Sequence, residues 1–418
     1  MTSFRSFVLV VISLALSACA SAPRPEAAAP VPLVVVSIDA FRADFYDRGL
    51  TPNLKRLGDG GAHAVIHPSF PSLTFPNHYT LVTGKRPDHH GMVANYMYDA
   101  THPADPADPK AAYFTKEKSG DGFWWDEARP VWVSAERAGI ASASVYWPGT
   151  QAEIDHTRPA HWLDYDKTTT SNDRVDKLLA WMDLPAGQRP GLYLLYLDQV
   201  DVIGHKYGPD SPEINAAISE ADAAIGRLVD GMKARGITAN ILVVSDHGLT
   251  SVSPQRTYFL SDLLGRDGLA PDARSDPRYE LIYWGSIALV RPLPGGDAAL
   301  DKLTKTHFDH MRCYHKGDIP PRLRYGHNPR VTEIVCIPEL GWQVAGLAID
   351  QNLGNHGYDP AYSDMNAIFI ANGPGIRPGV ELQPFDNVDV YDAEMSLLHL
   401  RPEPNDGTLG PVKPALVP

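Results

Sequence analysis

Five short apolar runs recur along the chain, and stretches with helical periodicity separate them. Residues 33–38 form the first run, in which aliphatic residues follow one another with little polar interruption. Such a run predicts a strand that is buried on both faces, as in a parallel sheet covered by helices. Comparable runs occupy residues 141–147, 193–197, 241–245 and 367–370.

Helical periodicity between these runs indicates the fold class. Residues 213–235, for example, bring Ile214, Ile218 and Ile225 close to one face of a helix. The alternation predicts an α/β fold with a doubly wound, mostly parallel central sheet and helices on both faces. Residues 99–130 and 254–345 break the alternation. We expect the first stretch to be a loop over the ligand site and the second to be a smaller inserted α+β subdomain.

The N-terminus has the pattern of a bacterial export signal. A basic start at Arg5, an apolar stretch over residues 7–16 and small residues before Cys19 predict a lipoprotein signal peptide over residues 1–18, with acylation of Cys19. Position 20 is not aspartate, so similarity to bacterial sorting signals predicts an outer-membrane lipoprotein that faces the periplasm. If Cys19 is incidental, the alternative is a soluble periplasmic protein. Residues 19–32, rich in alanine and proline, predict a tether to a domain over residues 33–418.

Charge and cysteine content limit the classes of partner and compartment. The formal net charge of −13 argues against a nucleic-acid polymer, because a groove for the phosphate backbone needs an excess of lysine and arginine. A small anionic substrate is compatible with this charge, since a bound metal ion supplies local positive charge. Besides Cys19 the chain has Cys313 and Cys336, which predict a disulfide in an oxidising compartment.

Acidic residues and histidines follow three of the predicted strands, at the sheet edge where open α/β sheets bind ligands. Asp39 follows the first run, and Asp246 and His247 follow the run at 241–245. Asp201 and His205 come after the run at 193–197 and are four residues apart, so one helical turn directs both to the same side. Carboxylate and imidazole are ligands that zinc prefers, and the combination predicts a dinuclear metal site.

Single residues in this set have alternative interpretations. His356, in a glycine-flanked loop, adds a further imidazole, and Asp198 competes as a ligand on spacing grounds. An aspartate at a strand end, such as Asp39, also often caps a helix. Most of the 16 histidines are expected to be surface or packing residues, among them His89, His90 and His161.

Two neighbouring segments carry a family resemblance. Residues 72–84 have the sequence SLTFPNHYTLVTG, and residues 86–95 have the sequence RPDHHGMVAN. With the later Asp-x-x-x-His, Ser-Asp-His-Gly and Asn-His-Gly-Tyr segments, in this order, they resemble the nucleotide pyrophosphatase/phosphodiesterase family of the alkaline phosphatase superfamily. The resemblance, to a bacterial member, covers roughly residues 33–395 and implies an alkaline phosphatase-like catalytic domain.

The resemblance implies two zinc ions per chain and a role for each site residue. It implies that Thr74 is the nucleophile and that Asn95 donates to a phosphoryl oxygen. Phe75 offers an aromatic face for a base, and the resemblance implies Tyr165 as the second face of a nucleotide pocket. The alternative for Tyr165 is a purely structural tyrosine. The implied ligands are Asp39, Thr74, Asp246 and His247 for one ion and Asp201, His205 and His356 for the other. The chain departs from its relatives at Val202 and Ile203, which affects the pocket rather than the ligand set.

The expected chemistry follows from the weakness of a threonine hydroxyl, which needs a base or a metal ion to act as a nucleophile. We expect a two-metal, in-line displacement through a covalent phosphothreonine at Thr74, with release of nucleoside monophosphates from nucleotide phosphodiesters and phosphoanhydrides. Phe75, and not a basic residue, follows Thr74, which favours a diester over a monoester. Arg86 is the nearest cation in the sequence and a weaker candidate for a phosphate contact.

Other functions stay open at this point. On the same fold, the alternatives are a phospholipase C-like lipid phosphodiesterase and a phosphate monoesterase. The non-enzyme alternative is an inactive metal-binding surface lipoprotein, which predicts losses among the ligands or the nucleophile. A sulfatase is disfavoured because the chain has no Cys-x-Pro-x-Arg or Ser-x-Pro-x-Arg segment. The sequence leaves open the oligomeric state and the identity of the metal.

Overall fold

The central sheet is built from strands that are apolar on both faces. In the first strand, Leu33–Ile38, Leu33 and Val35 pack into one core cluster, whereas Val34 and Val36 pack into another on the opposite face. This computed structural model describes residues 31–418 apart from residues 106, 109, 265–274, 277, 347, 349 and 350. The predicted signal peptide, Cys19 and nearly all of the predicted tether therefore lie outside the described residues.

The strands of the described residues are listed here in chain order. They are β1 (Leu33–Ile38), β2 (Ala62–His67), β3 (Met97–Tyr98), β4 (Tyr113–Phe114), β5 (Ser142–Val145), β6 (His161–Leu163), β7 (Leu192–Leu197), β8 (Asn240–Val244), β9 (Thr250–Ser251), β10 (Thr257–Phe259), β11 (Ser275–Asp276), β12 (Tyr279–Tyr283), β13 (Ala288–Pro292), β14 (Met311–His315), β15 (Ile334–Pro338), β16 (Gln343–Ala345), β17 (Gly354–Asn355), β18 (Ala367–Asn372), β19 (Val380–Glu381) and β20 (Phe385–Asp386).

The large sheet has the order β19-β2-β18-β8-β1-β7-β5-β6, and β20 also pairs with β2. All pairs are parallel except those of β18, which runs antiparallel to β2 and to β8. The mostly parallel sheet is thus confirmed, and its five predicted apolar runs correspond to β1, β5, β7, β8 and β18. The strand β2 was not predicted, because only every second residue of it is buried.

Helices cover both faces of this sheet. They are α1 (Pro52–Asp59), α2 (Thr74–Thr83), α3 (Pro87–His90), α4 (Val131–Arg137), α5 (Ser171–Met182), α6 (Gln199–Tyr207), α7 (Pro212–Ala234), α8 (Leu260–Leu264), α9 (Asp297–Lys305) and α10 (Val390–Leu397). Apolar residues of α1, α5 and α7 pack on one face, and those of α2, α4 and α10 pack on the other. Within the described residues, no helix is both long and apolar enough to cross a bilayer.

The region predicted to be a smaller α+β unit contains a sheet of its own. Five antiparallel strands pair in the order β11-β12-β13-β15-β14 and enclose a separate apolar cluster that includes Leu281 and Val290. Cys313 and Cys336 lie directly opposite each other on β14 and β15 and are joined by a disulfide. The disulfide is the predicted one.

The stretch expected to be a loop over the site has little regular structure and contacts Phe75, and it is also packed into the protein. It contains β4 and two short 3₁₀ turns, and it buries Trp124 and Trp125 completely in the main core. Arg330 donates hydrogen bonds to the carbonyls of Gly91, Phe123 and Trp124 and so fastens the stretch from the other side. The sequence did not indicate this packing, because the many prolines and aspartates of the stretch give no sign that its two tryptophans are buried.

Candidate metal centre and active site

Three aspartates meet at the carboxyl ends of adjacent parallel strands. β1 lies between β7 and β8, so Asp39 after β1 comes close to Asp246 after β8 and to Asp201 on α6, which follows β7. Two groups of possible ligand atoms result, in each of which all atoms lie within 4.8 Å of one another. The groups are Asp39, Asp246 and His247, and Asp201, His247 and His356.

Hydrogen bonding leaves one oxygen of each carboxylate directed at this centre. Asp39 Oδ2 accepts a hydrogen bond from the Tyr196 hydroxyl, and Asp246 Oδ1 accepts one from the amide of Ala40 at 3.2 Å. The other oxygens, Asp39 Oδ1 and Asp246 Oδ2, are buried without a hydrogen-bond partner, as is Asp201 Oδ1. Because unpaired buried carboxylate oxygens are costly, this arrangement fits the binding of cations.

The histidines are oriented in the way that metal ligands usually are. Each donates from Nδ1 to a backbone carbonyl: His205 to Gly354 at 2.9 Å, His247 to Gly248 at 3.0 Å and His356 to Ser72 at 3.0 Å. A hydrogen bond at Nδ1 fixes the tautomer in which Nε2 carries the lone pair. Each Nε2 atom lies within 3.5 Å of a carboxylate oxygen of the centre.

His247 lies between the two groups. Its Nε2 is 2.9 Å from Asp246 Oδ2, and its ring stacks on that of His356 with centroids 3.7 Å apart. The resemblance implies His205, and not His247, as the third ligand beside Asp201 and His356. His205 Nε2 lies 3.3 Å from Asp201 Oδ1, so the predicted residue is also within reach of the same oxygen.

Burial and mutual repulsion dominate the electrostatics of the site. Burial, with the nearby charges of Asp246 and Asp201, raises the pKa of Asp39 well above its usual value. Burial opposes ionisation of Asp246 as well, but His247 and His78 outweigh it and hold the pKa of Asp246 well below normal. Burial and then His247 lower the pKa of His356 to about 3. A neutral His356 imidazole beside crowded carboxylates suits the binding of a divalent cation.

Thr74 lies at the mouth of the centre. It is the first residue of α2, and its Oγ1 is 3.3 Å from His247 Nε2. The N-terminus of a helix favours bound anions through its unpaired amides and its dipole. Asn95 accepts a hydrogen bond through Oδ1 from the Phe75 amide at 3.0 Å, which places its side chain beside the start of α2.

The loop after β17 depends on a glycine to bring His356 into place. Gly357 has φ +108°, and a Cβ atom there would lie 2.2 Å from Ser286 Oγ and 2.7 Å from Leu73 Cδ2. Only glycine permits this conformation without strain. The Asn-His-Gly-Tyr segment can therefore pack against the residue that precedes Thr74.

The two predicted pocket aromatics have different surroundings. Phe75 is half-buried and packs edge-on against Phe114, with ring centroids 5.3 Å apart, and also against Trp125. Tyr165 is 50% exposed, and its hydroxyl donates to Asp198. Phe75 is thus fixed by apolar packing, whereas Tyr165 is held by its polar end.

Several residues considered at the sequence level are engaged elsewhere. Asp198 Oδ1 lies 2.9 Å from Arg174 and is not in either ligand group. Arg86 is paired with Asp386 at 2.7 Å. His89 pairs with Asp406, the buried His90 bonds to Thr80 and Pro76, and His161 is half-buried near Trp181.

Two supporting residues escaped the sequence analysis. His78, one turn after Thr74, is fully buried, with Nε2 2.8 Å from Ser37 Oγ and Nδ1 2.9 Å from the Thr74 carbonyl and 3.2 Å from Asp246 Oδ2. Tyr196 is the donor to Asp39. His78 is part of the motif that carries the resemblance, but Tyr196 is one apolar residue among others in a buried strand and carries no signal.

A hydroxyl at a helix N-terminus beside two carboxylate–imidazole groups is an arrangement for metal-assisted transfer at a phosphoryl group. The family model for type I phosphodiesterase/nucleotide pyrophosphatase matches residues 33–359. An uncharacterised pyrophosphatase/phosphodiesterase of Schizosaccharomyces pombe is 37% identical over 90% of this chain and 78% of its own length. Ectonucleotide pyrophosphatase/phosphodiesterase family member 3 of Bos taurus is 32% identical over 90% of this chain, which spans 43% of that longer protein.

A solved structure of a relative has a similar fold. Murine ectonucleotide pyrophosphatase/phosphodiesterase 5, determined as an inactive threonine-to-alanine variant in complex with AMP, superposes with a TM-score of 0.83 at 33% identity and covers 93% of this chain and 100% of its own. The chain belongs to the type I phosphodiesterase/nucleotide pyrophosphatase family. It is a hydrolase of that family with two candidate metal sites.

Proposed function

We propose that the protein is a bacterial, zinc-dependent enzyme that hydrolyses nucleotide phosphodiesters and phosphoanhydrides through a covalent phosphothreonine at Thr74 and releases nucleoside monophosphates. One observation carries the proposal. The Thr74 hydroxyl stands at the N-terminus of α2, 3.3 Å from His247 Nε2, beside buried carboxylate oxygens that have no hydrogen-bond partner.

Zinc is the proposed cation because the donor set combines imidazole with carboxylate. Asp39, Asp246 and His247, with Thr74, would hold one ion, and Asp201, His205 and His356 would hold the other. When bound, the two cations supply Lewis-acid chemistry, which lowers the pKa of a hydroxyl group and neutralises charge on phosphoryl oxygens.

The side chains around Thr74 support a displacement at phosphorus. The Thr74 hydroxyl loses its proton and Oγ1 bonds to phosphorus while the bond to the leaving oxygen breaks on the opposite side and that oxygen takes up a proton. Water then cleaves the bond between Oγ1 and phosphorus, which returns a proton to Thr74 and releases the nucleoside monophosphate. Asn95 uses Oδ1 to accept from the Phe75 amide, so its Nδ2 is turned away from that contact and can donate to a phosphoryl oxygen. His78 holds the first turn of α2 through the Thr74 carbonyl.

The pocket favours a nucleotide diester. Phe75 is held by Phe114 and Trp125 and offers a rigid aromatic surface, and Tyr165 offers a second. The solved relative that contains AMP supports a nucleoside monophosphate as the product. Arg86, the nearest cation in the sequence, is paired with Asp386 and so is not available to neutralise the second charge of a monoester.

The proposal includes export and a lipid anchor. The Cys313–Cys336 disulfide and the ectoenzyme relatives indicate an exported protein. We propose that residues 1–18 are a lipoprotein signal peptide, that Cys19 is acylated, and that residues 19–32 tether a catalytic domain over residues 33–418, with an insertion at about 254–345, to the outer membrane on the periplasmic side. Mass spectrometry of the mature N-terminus tests this, and an unmodified Cys19 would contradict it.

The decisive experiment compares Thr74→Ala with Thr74→Ser in the zinc-loaded enzyme. The alanine variant should lose about three or more orders of magnitude in kcat on a nucleoside para-nitrophenyl phosphate, because the nucleophile is gone. The serine variant keeps a hydroxyl and should retain turnover. Rapid quenching should trap the nucleoside monophosphate group of the substrate on residue 74. Both variants should still bind about two zinc ions per chain. Near-normal turnover by Thr74→Ala would refute the nucleophile.

A further inference from the structure

Tyr165 lies on an exposed loop, yet its hydroxyl is fixed. Residues 164–170 connect β6 to α5, and most of their side chains are exposed. The Tyr165 side chain is half-exposed, at 50%, while its hydroxyl donates a hydrogen bond to Asp198 Oδ2. A large aromatic ring is thus presented to solvent with its polar end held, although the loop around it offers little packing.

Asp198 is held in turn by a buried arginine. Arg174 Nη2 lies 2.9 Å from Asp198 Oδ1, and Arg174 Nη1 donates to the Tyr196 carbonyl at 3.0 Å. The Arg174 side chain is only 2% exposed. A buried guanidinium with several partners has little freedom, so the carboxylate that receives the Tyr165 hydroxyl is itself in a fixed position.

The same arginine also contacts aromatic rings. Its Cζ atom is 5.6 Å from the centroid of Tyr165 and 5.2 Å from that of Tyr146. Tyr146 packs edge-on against Tyr165 with centroids 5.6 Å apart, and it does so from a left-handed backbone conformation, φ +67°. Arg174, Asp198 and Tyr146 form what we call the Tyr165 clamp, and together they leave half of the Tyr165 side chain uncovered.

The clamp is joined to the candidate metal centre through β7. Tyr196 accepts from Arg174 through its carbonyl and donates to Asp39 through its hydroxyl. Asp198 immediately precedes α6, which carries Asp201 and His205. The carboxyl end of β7 therefore contacts both the Tyr165 clamp and Asp39, and it leads into the helix that carries Asp201 and His205.

We infer that Arg174 and Asp198 are positioning residues that hold the ring of Tyr165 as a pre-formed wall for a nucleotide base, and that they thereby set the preference for nucleotide esters over phosphodiesters that lack a base. The inference rests on the proposed function. A wall ordered before binding saves the entropy that an unrestrained exposed side chain would lose when a base stacks on it. The benefit applies only to substrates that reach the wall.

A purely structural role makes a different prediction. A buried arginine–aspartate pair also holds a fold together, and its loss would then affect every substrate alike. Positioning of Tyr165 affects the KM for base-bearing substrates and leaves kcat and base-free substrates unchanged. Two para-nitrophenyl esters separate the cases: the ester of a nucleoside monophosphate and methyl para-nitrophenyl phosphate, which share the leaving group.

The experiment uses Tyr165→Phe, Asp198→Asn and their combination in the zinc-loaded full-length protein. Each single variant should raise KM for the nucleoside ester about fivefold, the order of the entropic cost of immobilising one side chain on binding, with kcat unchanged. The methyl ester should be hydrolysed at the wild-type rate. The combined variant should be no worse than the more impaired single one, because both substitutions weaken the same contact between Tyr165 and residue 198.

A matched control lies on the same helix as Arg174. Asp176 on α5 pairs with Arg227 on α7 at 2.7 Å, about half-exposed and outside the clamp, so Asp176→Asn should leave both esters unaffected. Tyr165→Phe keeps the exposed ring and serves if Asp198→Asn folds poorly. Equal losses on both esters, or additive effects in the combination, would overturn the inference. Absence of turnover of both esters by the wild-type enzyme would instead refute the proposed function.

Discussion

At the level of single residues, the site divides the work of each carboxylate between its two oxygens. In Asp39 and in Asp246, one carboxylate oxygen accepts a hydrogen bond from the protein, and the other is buried without a hydrogen-bond partner. The donor orients the carboxylate, and the remaining oxygen is then available to a cation. Residues outside the candidate ligand groups thus contribute to the metal centre by orienting the carboxylates within it.

Tyr196 gives a direct test of this division. Tyr196→Phe removes the hydrogen bond to Asp39 Oδ2 without removing the ring, and we expect zinc affinity to fall about tenfold to a hundredfold, as for other outer-shell partners. Competition with a chelating dye measures the affinity. Tyr193→Phe, on the same strand and also buried, is the control and should bind zinc normally. Unchanged affinity in Tyr196→Phe would show that Asp39 needs no orienting donor.

Glu394 on α10 is a residue that the site does not use. It is completely buried, neither carboxylate oxygen has a hydrogen-bond partner, and burial raises the pKa of its carboxyl well above the usual 4.5. The folded state therefore prefers the protonated form. The stability that this preference contributes is fully present below pH 4.5 and is lost as the pH rises through the folded pKa.

Glu394→Met removes a buried carboxyl group that has no hydrogen-bond partner and should raise the free energy of unfolding at both pH values, by roughly 1–3 kcal/mol more at pH 8 than at pH 4.5. Denaturant titrations at several pH values measure the difference. Glu220→Gln, on an exposed position of α7, should have the same pH dependence as the wild type. A gain from Glu394→Met that does not depend on pH would mean that packing, and not charge, is responsible.

At the level of elements, the stretch over residues 99–130 packs against Phe75. Phe114 and Trp125 hold Phe75, and Arg330 fastens the turn around Trp124 with three hydrogen bonds to carbonyls and an ion pair to Asp99 at 2.9 Å. The stretch thus packs against a residue of the candidate active site and is itself anchored by Arg330, just before β15.

Arg330→Met should therefore lower the free energy of unfolding by more than an ordinary substitution at the surface does. It leaves three carbonyls and Asp99 without their donor, and we expect a loss of about 3–5 kcal/mol in the free energy of unfolding. Early proteolysis should map to residues 99–130. The control is Arg227→Met, which breaks an exposed pair and should cost less than about 1 kcal/mol. Equal losses in the two variants would contradict the anchoring role.

For the whole molecule, the candidate metal centre joins segments that are distant in sequence. Its side chains come from α6 and from the segments that follow β1, β8 and β17, and its buried carboxylates repel one another in the absence of cations. Removal of metal by a chelator should lower the free energy of unfolding by about 3–4 kcal/mol for each ion that is lost, relative to protein in zinc at 100–1,000 times Kd. Calorimetry measures this loss, and added zinc should reverse it. An unchanged melting temperature would argue against a metal centre.

The sequence by itself determined the sheet and the position of the ligands along the chain. Uninterrupted apolar runs can be buried only between two layers of helices, and polar residues directly after such runs must lie at one edge of the sheet. The five strands and the convergence of Asp39, Asp201 and Asp246 followed from that constraint. The strand β2 did not, because a half-buried alternating segment is not distinctive.

Only the tertiary structure decided which groups support the site. Tyr196 and His78 lie beside Asp39 and Asp246 because strands and helices far apart in sequence are adjacent in space. Arg174 pairs with Asp198, and Trp125 packs against Phe75, again because segments distant in sequence are neighbours in the fold. Periodicity reports which face of an element is buried, but hydrogen-bond partners across elements depend on distances of a few ångströms, which no local pattern encodes.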